Sequence, residues 1–86
     1  MLRLPTSEEL RAALDAAGLA HHEYERNALG GRRDDAWASW YAAYVLGRLG
    51  DFADPTWLAR ALEEVPAEED WAEEAALAVA RLLGTG

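Results

Sequence analysis

The sequence predicts an all-α fold, a compact bundle of four or five helices around a central aromatic helix at about residues 35–49. Three observations predict it. Ala, Leu, Arg and Glu, all strong helix formers, dominate the chain. Apolar residues recur at three- and four-residue spacing rather than alternating. Glycines, prolines and capping residues divide the periodic stretches into short segments. At 86 residues the chain is read as a single helical domain, 1–86.

The first helix is expected over 7–17. Thr6 with Glu9 spells a capping box, and Leu10, Ala13, Leu14 and Ala17 follow at helical spacing. Gly18 is well placed to end it. The competing reading is one helix running on to Ala28, with Gly18 costing about 1 kcal/mol inside it. A second helix is expected over 20–29, carrying only the narrow stripe Ala20, Tyr24, Ala28 and stopping at Gly30-Gly31. So short a helix is marginal in water and has to dock.

"GGRRDD" is a loop, and Asp34 or Asp35 caps the helix over 35–49. Trp37, Trp40, Tyr41 and Tyr44 share one face of that helix. Ala38, Ala42, Val45, Leu46 and Leu49 cover the other, so it is expected at the centre with rings that are largely core. Gly47 offers a place for another helix to come close. Asp54 and Pro55 open a helix over 55–64, with Trp57, Leu58, Ala61, Leu62 and Val65 as its inner stripe. Pro66 closes it. The last helix, 67–83, opens on Glu68, Glu69 and Asp70, which suit a helix N-terminus, and buries Trp71, Ala75, Ala78, Val79 and Leu82. The final Gly-Thr-Gly is expected to fray.

Composition excludes several functions. With no cysteine there are no disulfides, zinc–thiolate sites or cysteine nucleophiles. All eight basic residues are arginine, against sixteen acids, for a formal charge of −8. The imbalance is lopsided: residues 1–50 carry six arginines and seven acids, residues 51–86 two arginines and nine acids. Such a domain repels phosphate, so nucleic acid is not an expected partner, whereas a basic protein is. No stretch has the length of a membrane span and "MLRLPTSEE" lacks the apolar run of a signal peptide. No membrane partner is therefore expected, and the protein is placed in the cytoplasm.

Four constellations carry chemistry. His21 and His22 sit four and three residues before Glu25, with Asp34 and Asp35 one loop away. Adjacent histidines point about 100° apart on a helix, so they do not share one ion readily, and no metal or other cofactor is predicted. The second constellation is the aromatic face, either core or the wall of a pocket. Together these give a candidate ligand site of His21, His22, Tyr24, Glu25, Trp40 and Tyr44. The paired arginines of "GGRRDD" match no phosphate-loop spacing and are balanced by the two aspartates. Last comes the acidic run at 63–74. With Trp37, Tyr41, Trp57 and Trp71 as anchors, Glu68, Glu69 and Asp70 form a candidate interface. The only serines, Ser7 and Ser39, lack a sharp turn or an oxyanion hole, so no catalytic residue is assigned. The expected function is a non-catalytic interaction module that binds a partner protein or itself. The alternatives are a ligand-binding or minor catalytic domain, and an acidic mimic of nucleic acid.

Overall fold

Four α-helices follow one another along residues 3–84, the part of the chain that the computed structural model describes. They are α1 (Ser7–Ala28), α2 (Trp37–Leu49), α3 (Pro55–Glu63) and α4 (Trp71–Leu83). Among the described residues there is no strand. Thr85 and Gly86, expected to fray, lie outside them.

α1 starts as its sequence dictates. The Thr6 hydroxyl accepts the Glu9 N–H at 3.2 Å, and the Glu9 carboxylate accepts the Thr6 N–H at 3.0 Å. It then runs for 22 residues without a break, so the two helices expected over 7–17 and 20–29 are one. Gly18 is not among the glycines with positive φ, as a helix-ending residue would be. Leu10, Ala13, Leu14, Ala17 and His21 are buried in one stripe that passes straight through its position. Burying that continuous stripe outweighs about 1 kcal/mol of glycine penalty. The stop comes at Gly30 and Gly31, with φ of 63° and 86°. They occupy the centre of a turn closed by Arg32 N–H to the Leu29 carbonyl at 3.2 Å.

α2 begins at Trp37, two residues later than expected. Asp34 still serves this end, accepting the Ala36 N–H at 3.0 Å. α2 packs closely on α1 and α3 but makes no close backbone approach to α4, which it meets in ring contacts of Trp37 and Tyr41 with Trp71. Its deep face is the small one, Ala38, Ala42, Val45 and Leu46, while its four rings are half-buried rather than core. Gly47 is exposed with no neighbour in reach, so the close helix approach expected there is absent.

Asp54 caps α3, accepting the Thr56 and Trp57 N–H groups at 2.9 and 3.1 Å, and Pro55 opens the first turn. Leu58, Ala59, Ala61 and Leu62 are buried. Trp57, expected on the inner stripe, is exposed, and Ala59 takes its place. α4 begins at Trp71, not at 67, because Ala67–Asp70 are used in crossing from α3. Its buried face is Ala75, Ala76, Val79 and Ala80, rotated from the expected stripe so that Leu82 points to solvent. A helix apolar nearly all round does not specify its own inner face. Gly84 ends it in the left-handed conformation, φ 81°.

Small side chains set the packing. Ala17, Ala42 and Ala75 are wholly buried, which lets backbones approach closely, and Leu10, Leu14, Leu58, Leu62, Val45 and Val79 fill the remaining space. Phe52, from the α2–α3 connection, closes one side.

Two substitutions test this account by urea unfolding. Gly18→Ala is expected to stabilise by about 1 kcal/mol, because a Cβ there meets the Tyr41 hydroxyl at an ordinary 3.5 Å and the helix gains propensity. A loss of stability would mean that the helix breaks at this point. Leu62→Ala, at a site with no solvent exposure, is expected to cost about 2–5 kcal/mol.

Candidate functional site

The only buried polar or charged residue among those described is His21, 6% exposed on the inner face of α1. Its Nε2 lies 3.0 Å from the Asp34 carboxylate, and its Nδ1 lies 3.8 Å from Glu25, one turn along the helix. Glu25 accepts the backbone N–H of Asp34 at 2.8 Å through its other oxygen. Asp34, in turn, accepts from Ala36 just ahead of α2. Two side chains of α1 thus hold one residue of the following loop by side chain and backbone together.

The clamp has a physical consequence for Asp34. The hydrogen bond from His21, the largest effect, holds its carboxyl below the ordinary 3.8, with the Ala36 N–H acting in the same direction and burial opposing both. Burial, and then the charge of Glu25, pushes the Tyr41 hydroxyl up, so Tyr41 stays a neutral donor.

Rings enclose the histidine. Tyr24, Trp40 and Tyr41 place their centroids 6.0, 5.0 and 5.2 Å from the imidazole. Tyr44 stacks on Trp40 at 5.6 Å, nearly parallel. Of the six residues expected to line a ligand site, His21, Tyr24, Glu25, Trp40 and Tyr44 therefore come together. They fill the space between them with each other, and His22 is exposed on another face. His21, Glu25 and Asp34 are engaged with one another, and among the described residues no group of three His, Asp or Glu is placed to hold an ion.

The open space lies next door. A groove of about 600 Å³ runs between the His21–Glu25–Asp34 clamp and the α3–α4 connection. Its floor is Trp37, Tyr41 and Trp71, with centroids 5.5–5.6 Å apart and rings at 75–90° to one another. Its far wall is the stretch from Glu63 to Glu68, including Val65 and Pro66. The groove forms here because α2 and α4 make no close backbone approach, and three rings bridge only part of the gap between them. Of the expected interface residues, Trp37, Tyr41, Trp71 and Glu68 line it. Trp57, Glu69 and Asp70 are exposed outside its lining.

Sequence reasoning missed Glu63, Glu64, Val65 and Pro66 as lining residues. The signal available was that Pro66 stops α3 within reach of the first residue of α4. The class defined by fold and site is a small all-α bundle with an aromatic-floored, acid-walled surface groove. Comparison with protein-family models, with curated proteins and with solved structures returns no match.

A depressed carboxyl stabilises the fold fully above its unfolded value, and that contribution is lost as pH falls through the folded one. The stability difference between the native chain and Asp34→Asn is therefore expected to shrink as pH falls from about 5 to about 3. Urea midpoints across that range measure it. A difference that grows toward low pH would show that Asp34 is not held as described.

Proposed function

We propose that this chain is a non-catalytic interaction module whose acidic second half docks a basic partner protein. One observation carries the reading. Glu63, Glu64, Glu68, Glu69 and Asp70 are all exposed, and no ion pair involves any of them, whereas Glu9, Asp15, Glu23 and Glu73 each have an arginine close by. A run of uncompensated carboxylates makes the local potential more negative and speeds encounter with a cation-rich surface. The same charge opposes close association with a second copy, so a basic partner is favoured over self-assembly. The half-buried Trp37 and Trp71 supply rings of the kind that anchor interfaces.

Support for a module rather than an enzyme comes from the one buried polar cluster. His21, Glu25 and Asp34 spend their hydrogen bonds on one another and on the loop backbone. Ser7 and Ser39 belong to α1 and α2 and do not line the groove. No helix among the described residues is long and apolar enough to cross a membrane.

Binding to an immobilised basic protein such as a histone or protamine is expected to be saturable at low salt. It should weaken by an order of magnitude or more as salt shortens the Debye length from about 30 to about 8 Å. Binding that is indifferent to salt, or absent at low salt, would overturn the proposal.

A further inference from the structure

The groove between the clamp and the α3–α4 connection combines two features that an acidic surface alone does not have. Its floor is three rings, Trp37, Tyr41 and Trp71, packed edge-to-face on one another and half-buried, so that part of each stays open to the groove. The face of an aromatic ring is its negative side and attracts a cation within about 6 Å of the centroid. Above this floor stand Glu63, Glu64 and Glu68, exposed and without ion pairs. Glu25 and Asp34, committed to His21, add negative charge at the opposite wall. Against them the lining offers one guanidinium, that of Arg33, which likewise has no ion pair. The balance along the groove is negative, and its apolar part is aromatic.

We infer that this groove receives an arginine side chain of the partner, its guanidinium lying on the Trp37–Tyr41–Trp71 rings and its N–H groups meeting the Glu64 and Glu68 carboxylates. Three features select a guanidinium over an ammonium. It is planar and stacks on a ring face, while its edge presents paired donors to carboxylates. It is also the more weakly hydrated cation, so it gives up less on leaving water. The groove is open, which suits an ion entering flat; a quaternary ammonium is held best by an enclosing cage. The inference rests on the acidic-module reading and adds to it a location and a partner chemistry.

The experiment follows the indole N–H signals of the full chain by nuclear magnetic resonance while an oligoarginine peptide is added at low salt. The Trp37 and Trp71 signals are expected to shift saturably, with that of Trp57, exposed on α3, as the internal control. Glu63→Gln/Glu64→Gln/Glu68→Gln is expected to weaken binding about tenfold or more. Glu8→Gln/Asp15→Asn/Asp51→Asn removes as much charge from exposed positions off the groove and should change affinity by less than about threefold. Trp71→Leu is expected to cost about three- to thirtyfold with an unchanged helical circular dichroism spectrum. If that variant fails to fold, the charge variants and the indole shifts decide the matter. An oligolysine peptide of equal length should bind several-fold more weakly, and equal affinity would overturn the guanidinium assignment. Saturable binding that shifts Trp57 rather than Trp37 and Trp71, with equal losses in both triple variants, would overturn the groove while leaving the acidic-module reading intact. No saturable binding of either peptide would remove both.

Discussion

The hold of His21 and Glu25 on Asp34 is the constraint on which the rest of the structure depends. It ties the loop that opens with two left-handed glycines back onto the helix it has just left. A loop so pinned fixes where α2 begins and how its first turn faces α1. From that follow the burial of Ala38 and Ala42 against the bundle and the outward tilt of the rings on the other face. A buried histidine is costly unless its nitrogens are met by partners, and here one carboxylate lies at hydrogen-bond distance and a second close behind it. His21 itself is only 6% exposed, and burial strengthens such contacts.

The aromatic residues do two different jobs. Tyr24, Trp40 and Tyr44 finish the packing around His21 on one side of Tyr41. Trp37 and Trp71 lie on its other side, where α2 and α4 stay apart. Close helix packing needs small residues at the contact, and the first residues of α2 and α4 are both tryptophan. Two indoles at one end of a bundle hold the backbones apart and leave a groove instead of a sealed seam. The acidic connection from Glu63 to Glu68 runs along this opening because Pro66 ends α3 nearby. Charge and aromatic rings therefore meet at one place by the geometry of helix ends.

Much of this was legible in the sequence. Capping chemistry is local, so Thr6 with Glu9, Asp54 with Pro55, Gly30-Gly31 and Gly84 marked their helix ends correctly. Helical spacing put His21 or His22 beside Glu25, with Asp34 and Asp35 one loop away; which histidine and which aspartate meet was decided by packing. What was not legible came from competition between local preference and packing. Gly18 is a fair helix stop on its own, yet a stripe that includes His21 carries the helix through it. Trp57 and Leu82 fitted an inner stripe by period, but α3 and α4 are rich enough in alanine that rotating each by part of a turn buries as much surface.

The sequence by itself determined an all-helical chain, most of its boundaries, its acidic second half and the sharing of one face by four rings. These depend on neighbours a few residues apart, which the chain carries wherever it goes. Only the tertiary structure decided that the rings sit half-buried, that His21 is enclosed while His22 is not, and that the open space lies beside Trp37 and Trp71 instead of Trp40 and Tyr44. Those outcomes depend on which helix pairs approach closely. That is set by the summed fit of small and large side chains across residues far apart in sequence, and no local period encodes it.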